Sequence, residues 1–308
     1  MVNIKIYGVI LGQIGLVLAW SSGFIGGSLA AQTDSIYTVL FWRFLCASCI
    51  LLPLTAVRLT KLTAQQWRNQ ISIGTLAMFG YLATMISAIE MGISPALAAL
   101  ITALQPMLTA TLSTIMLKTR MSLTQWLGLL MALFGVMLPV IEQMSLGTGY
   151  LPIGLALSST VCIVWATLIS QQQKSPVTVA SSLTIQCLIS CVLFLPLALY
   201  DHGVSWDMSH SFLLSVSWFV VFSTFCAYGL YWWVLSKTSA NHVALLMYFT
   251  PPCTSVWAWL MFDEPIKATV WVGAGMIVIG VLFAHRSSRS LSCQPIREQQ
   301  SKSVSVSK

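Results

Sequence analysis

Charge is what this sequence has least of. Of 308 residues only 7% are charged, while 57% are hydrophobic and the mean hydropathy is +0.83. A water-soluble domain carries roughly a quarter charged residues. So few charges cannot cover a soluble surface, and lipid must be the solvent for most of the chain.

Other absences narrow the chemistry. There is no G-x-x-x-x-G-K-[ST] loop, so the chain itself does not bring ATP drive. H-E-x-x-H, G-x-S-x-G and paired intramembrane aspartates are missing, which argues against an intramembrane enzyme. Cys46 and Cys49 form a C-x-x-C, but inside an apolar run, with no second pair and no neighbouring His to complete a zinc site. Neither a metal nor a cofactor is expected. The other cysteines up to Cys253 also lie in apolar segments and read as reduced packing residues. Despite a net charge of +7, the basic residues are scattered through short segments rather than gathered on one face, so no nucleic-acid partner is expected.

What the chain has is long apolar runs. A helix crossing the hydrocarbon needs about 20 mainly apolar residues. Runs of that length fall at 6–29, 35–57, 70–89, 94–117, 122–141, 150–170, 177–199, 210–235, 240–261 and 266–284, giving an all-α membrane protein of ten spans. The first run exceeds the roughly 7 to 15 residues of a secretory h-region and reads as a span.

The segments between spans sort by charge. One alternating set holds Lys5, Arg58, Lys61, Arg68, Lys118, Arg120, Lys174, Lys237 and the basic residues of the C-terminal tail. The other holds Asp34, Glu90, Glu142, Asp201, Asp207, Asp263 and Glu264, with Lys267 its only basic residue. Basic residues accumulate on the cytoplasmic side, so both termini are expected in the cytoplasm of a plasma or bacterial inner membrane. One span more or fewer would scramble this separation. The polar segment 285–308 reads as a disordered cytoplasmic tail.

Slid against itself at one constant offset, the chain pairs Trp20 with Trp165, Ser94 with Ser239, Ala99 with Ala244, Pro106 with Pro251 and Thr109 with Thr254. The match runs on through Trp126 with Trp271, Gly128 with Gly273 and Gly135 with Gly280. Two units follow, 1–142 and 147–284. An odd number of spans separates equivalent helices, so the units enter the membrane in opposite senses. Such inverted repeats exchange inward-open and outward-open states about a shared site. The plainer alternative is a duplication that merely builds a stable bundle, with small-residue pairs as packing points.

The residues Trp20-Ser21-Ser22-Gly23-Phe24, Trp42-Arg43-Phe44, the Ser94 to Pro106 run and Phe262-Asp263-Glu264-Pro265 resemble the EamA-type permeases of the drug/metabolite transporter superfamily. The resemblance covers about residues 6 to 284. It implies ten helices, cytoplasmic termini and movement of metabolites, amino acids or drugs, commonly as export. The first half departs at Lys118-Thr119-Arg120, where the second has Asp263-Glu264-Pro265. The two positions face opposite sides of the membrane, so the change of sign fits topology.

Arg43 lies about 12 Å below the outer surface at 1.5 Å per residue, where an unpaired charge costs several kcal/mol. Either it faces a central cavity and attracts a solute carboxylate, or it is tied to helix carbonyls or to Glu90. Pro106, Pro251 and Pro252 sit inside the fourth and ninth spans, where each frees a carbonyl one turn earlier, and they read as paired hinges or as packing kinks. Gln105 and Thr250 precede the equivalent prolines, and Tyr248 lies beside them. Trp20, Trp165, Tyr81 and Tyr228 lie within spans and suggest an amphipathic aromatic cavity, whereas Trp126, Trp206 and Trp271 read as interface anchors.

The function expected is secondary transport, as an exporter of small metabolites such as amino acids or amphipathic drugs. A non-transporting membrane sensor or assembly factor is the alternative, followed by an intramembrane enzyme. The expected partners are a small-molecule solute and the lipid bilayer. No acidic residue lies mid-span, so exchange or facilitated diffusion stands beside proton antiport.

Overall fold

The computed structural model of the protein describes residues 2–33, 35–117, 123–145, 149–173, 177–201, 203–238, 240–265 and 267–292. Asp34, Lys118, Arg120, Lys174 and the tail from 293 onward lie outside the described residues. The fold is all-α. Its helices are α1 (Val2–Ala30), α2 (Ile36–Leu59), α3 (Ala64–Glu90), α4 (Pro95–Thr102), α5 (Gln105–Leu117), α6 (Leu123–Ser145), α7 (Tyr150–Gln171), α8 (Val179–Asp201), α9 (His210–Lys237), α10 (Ala240–Leu246), α11 (Thr250–Phe262) and α12 (Ala268–Ser292).

Among the described residues seven helices are long and apolar enough to cross a membrane, not the ten expected: α1, α2, α3, α7, α8, α9 and the stretch His242–Phe262. Shorter apolar helices lie at Pro95–Thr109, Trp126–Glu142 and Ala268–Gly280. Two boundaries also differ. α3 starts at Ala64 rather than 70, because the Thr63 and Gln66 side chains and amides cap one another and hold a polar first turn helical. α12 runs on to Ser292, past the expected end at Ala284, because helix does not stop where hydropathy does.

Local chemistry fixes the other ends. Ser35, Ser94 and Ser209 accept amide hydrogen bonds from the first turns of α2, α4 and α9. Asp263 ends α11 in the left-handed region at φ 52°, its amide donating to the Trp259 carbonyl, and Pro265 keeps the helix from resuming. Gly203, at φ 85°, turns the chain after α8 so that its amide reaches Ala198 O and its carbonyl accepts from Thr38 Oγ1.

Two irregularities recur at the same register in both halves. α4 gives way to α5 through a turn at Ala103 and Leu104, and α10 gives way to α11 through a 3-10 turn at Met247–Phe249, so that Gln105 and Thr250 both open the second segment. The prolines that follow lack the amides that would bond Thr102 O, Met247 O and Tyr248 O, and the rod cannot continue unbroken. Likewise α3 carries a π-helical stretch at Thr75–Gly80 and α9 one at Phe219–Tyr228.

Glycines set the closest helix approach. A Cβ on Gly135 would lie 2.6 Å from Gly273 O, and one on Gly280 would lie 2.5 Å from Gly128 O. Gly128 and Gly273 are repeat equivalents, as are Gly135 and Gly280. The α6–α12 contact therefore crosses equivalent positions reciprocally, the pattern a two-fold axis makes. Its far end is tied by Lys267 Nζ to Glu142 Oε1 at 3.3 Å.

Candidate functional site

The residue in greatest need of explanation is Arg43, which α2 carries into the interior with no solvent exposure. Its Nε donates to Thr224 Oγ1 and one terminal nitrogen to Ser223 Oγ, each at 2.9 Å. The rings of Phe44 and Phe219 cover the guanidinium, 4.8 and 4.7 Å from its central carbon. Gly26 leaves the space Phe219 occupies, since a Cβ there would come within 2.7 Å of that ring. Neither Glu90 nor a helix carbonyl holds the charge. Two hydroxyls and two π faces stabilise it, and among the described residues its Nη1 has no partner.

Ser223 leads from Arg43 to an aromatic cluster built around Trp20. The Trp20 ring packs on Tyr231 at 4.9 Å, Tyr228 at 5.3 Å and Tyr81 at 5.8 Å between centroids. Trp20, Tyr81, Tyr228 and Ser223 line a void of about 20 Å³, room for about one water. Two of the tyrosine hydroxyls, those of Tyr228 and Tyr231, are fixed. Tyr228 donates to Ala77 O, in the π stretch of α3. Tyr231 accepts from Gln105 Nε2 at 2.8 Å and donates to Thr167 Oγ1 at 2.6 Å, because Thr167 itself donates to Ile163 O. Gln105 Oε1 remains unpartnered.

The expected residues separate into two groups. Trp20, Arg43, Tyr81 and Tyr228 come together, and Gln105 joins them through Tyr231. Trp165 does not. It is 42% exposed and lies outside the cluster although it is the repeat equivalent of Trp20. Thr250 Oγ1 turns back to Met247 O, satisfying the carbonyl that Pro251 frees. Tyr248 is buried with its hydroxyl unpartnered and is not among the rings packed on Trp20. Pro106 and Pro251 are buried at the breaks, and Pro252 is half-buried.

Sequence reasoning passed over Ser223, Thr224 and Tyr231. Thr224, Tyr228 and Tyr231 follow the i, i+4, i+7 spacing of one helix face, so polar groups on one stripe of an apolar span were the available signal. Trp206, expected as an interface anchor, is 42% exposed and packs edge-on against Trp42 at 4.6 Å and Phe212 at 5.4 Å.

A vestibule opens at each end. One of about 450 Å³ is walled by Gln70, Gln186 and Trp232. The other, of about 380 Å³, is walled by Thr38, Trp206 and Asp207. The Asp207 carboxyl is held below the usual range by hydrogen bonds from the Ser209 hydroxyl and amide. Among the described residues no group of three or more His, Cys, Asp or Glu is placed to hold a metal ion.

The EamA-like transporter family matches residues 6–141 and 151–286. The uncharacterized transporter YyaM of Bacillus subtilis is 27% identical over 259 residues, 79% of this chain and 82% of that protein. The uncharacterized inner membrane transporter YhbE of Escherichia coli is 24% identical over 294 residues, 88% of this chain and 91% of that one. An uncharacterized transporter of Archaeoglobus fulgidus is 24% identical over 226 residues, covering 72% and 79%. A chain of known crystal structure superposes with a TM-score of 0.66 at 18% identity, covering 90% of this chain and 97% of the other, which is a likeness of fold.

Proposed function

The chain belongs to the EamA-like transporter family, and we propose that it is an exporter that recognises small solutes bearing a carboxylate, amino acids and amphipathic drugs among them, at the Arg43 centre. That it is an integral membrane transporter follows from family and fold. The solute class rests on one observation: a fully buried Arg43 whose Nη1 has no partner, next to a void walled by Trp20 and tyrosines. A cation in such a place attracts an anionic group, and the rings suit an apolar body attached to it.

The proposed architecture is ten spans in two inverted five-helix units, 1–142 and 147–284, with both termini cytoplasmic and 285–308 as a tail. Three features support it: the family matches the chain twice, the helix breaks and π stretches recur at one register, and the glycine contacts of α6 and α12 are reciprocal. The 23 residues of α6 reach about 34 Å at 1.5 Å each, enough for a hydrocarbon core of roughly 30 Å. The relative YhbE, named as an inner membrane protein, supports the same membrane here. A centre closed between two vestibules suits alternating access, with Pro106, Pro251 and Pro252 as paired hinges and Gln105, Tyr248, Thr250 and Trp165 available in other states.

The test is flux of labelled amino acids and amphipathic drugs in proteoliposomes, for the intact protein and Arg43→Ala, with and without a pH gradient. Saturable flux confined to carboxylate-bearing solutes and lost in the variant is the expected result. Flux of carboxylates undiminished in Arg43→Ala, or none for any solute, defeats the reading.

A further inference from the structure

The 450 Å³ vestibule has chemistry of its own, separate from Arg43. Three glutamines, from α3, from α8 and from the segment just after α7, run in a chain along its wall: Gln186 Nε2 donates to Gln70 Oε1 at 2.9 Å, and Gln70 Nε2 donates to Gln173 Oε1 at 3.3 Å. Gln70 and Gln186 are 3% and 1% exposed, and neither is needed to hold a charge. A polar chain this deep would be expected to satisfy itself, yet its ends do not. Among the described residues Gln186 Oε1 and Gln173 Nε2 have no partner, and neither does Trp232 Nε1 on the same wall.

The sense of the chain does not alter the outcome. If all three amides ran the other way, the ends would exchange, but one acceptor and one donor would still be free. Trp232 adds a second donor whichever way they run. None of the described lining residues is ionisable.

We infer that this vestibule is a separate binding site for the uncharged carboxamide or peptide-like amide group of an amphipathic ligand. An amide offers an N–H for the free glutamine oxygen and a carbonyl with two lone pairs for the free glutamine nitrogen and the indole N–H. A carboxylate has no donor and would set oxygen against oxygen at the free acceptor. An ammonium group has no acceptor and would leave both free donors unmet. The orphaned atoms are shut from solvent in this conformation, so the glutamines turn toward the cavity as the amide enters. Burying them unmet is costly, and a ligand that meets them recovers that cost.

The site lies next to the transport centre. Trp232 packs edge-on against Tyr231 at 5.0 Å, and Tyr231 stacks on Trp20. A ligand released from the glutamines is therefore one side chain from the aromatic cluster. Only this onward passage rests on the transporter reading; the binding does not.

The experiment uses the full chain in detergent and two probes that differ by one group and carry no other amide, 3-phenylpropanamide and 3-phenylpropanoate, titrated by calorimetry against the intact protein and Arg43→Ala. The amide is expected to bind more tightly than the carboxylate. Gln186→Leu should weaken amide binding by about tenfold, the worth of one buried hydrogen bond, and Trp232→Phe should weaken it by a similar factor with the ring kept. Gln173→Ala changes a half-buried residue at the rim that the core does not depend on, so it decides the matter should Gln186→Leu fail to fold. Arg43→Ala should leave amide binding unchanged. Equal affinity for the two probes in Arg43→Ala, no amide binding, or an unaltered amide affinity in Gln173→Ala and Trp232→Phe overturns the inference. Loss of carboxylate flux in Arg43→Ala is a separate readout, so the two readings can fail independently.

Discussion

Arg43 Nε donates to Thr224 Oγ1 across 2.9 Å, joining α2 of the first half to the π stretch of α9 in the second. With Ser223 beside it, this contact is how a fully buried cation is held without a carboxylate. It leaves one guanidinium nitrogen free.

Thr224→Val keeps the shape and deletes the acceptor. A charged donor is then buried unmet, which costs about 1–3 kcal/mol or more. A lower thermal unfolding midpoint in detergent is expected, with Thr224→Ser recovering most of it. An unchanged midpoint for Thr224→Val would mean the bond contributes nothing.

Arg43→Met separates fold from function. The unbranched thioether can lie between Phe44 and Phe219, and it removes the cost of burying a charge that no carboxylate pairs. The expected protein is at least as stable as the original and inactive toward carboxylate solutes. Arg43→Lys keeps the charge but gathers its donors on one nitrogen in place of a planar fork whose separate nitrogens meet Thr224 and Ser223, so carboxylate flux should fall there too. Full flux in Arg43→Met would make Arg43 a structural residue.

The parts of this molecule legible in the sequence are those governed by composition and by backbone chemistry. Scarce charge and apolar length gave membrane helices. Pro106 and Pro251 marked breaks that occur just before them, at the same register. Arg43 declared its need for partners, but Ser223 and Thr224 were not identifiable as those partners, because which face of α9 meets α2 depends on a π stretch that changes the residue-per-turn count locally. Repeat position alone does not place Trp165 with Trp20 in this conformation. Trp165 is 42% exposed where its equivalent Trp20 is buried, whereas Gly128 and Gly273 both sit in the α6–α12 contact. The glutamine chain was invisible because Gln70, Gln173 and Gln186 are far apart in sequence and fit no motif.

The glycines of α6 and α12 make a paired prediction. A methyl group at Gly135 or Gly273 would meet the other glycine's carbonyl, which is backbone and cannot rotate away. Gly135→Ala and Gly273→Ala should each separate the helices and lower stability by about 1–3 kcal/mol, in the range of overpacking. Gly275 has nothing within 4 Å of an added Cβ, so Gly275→Ala should gain up to about 1 kcal/mol of helix propensity. Equal effects at Gly273 and Gly275 would contradict the close approach.

Side-specific labelling decides between ten spans and seven. In a variant stripped of its native cysteines, Ser205→Cys in the exposed segment before α9 is expected to react with a membrane-impermeant maleimide in intact cells. Thr119→Cys discriminates. If the α4–α5 pair crosses the membrane despite its break, the chain is back in the cytoplasm at residue 119, and labelling requires permeabilised cells. If only the seven long helices cross, α3 leaves the chain outside until α7, and Thr119→Cys reacts in intact cells. Protection is expected, because the Lys118 and Arg120 beside it are the kind of charge that stays on the cytoplasmic side. Two halves related by inversion also need an odd number of crossings between equivalent helices. Reaction of Thr119→Cys from outside would remove the ten-span reading and the alternating-access mechanism built on it.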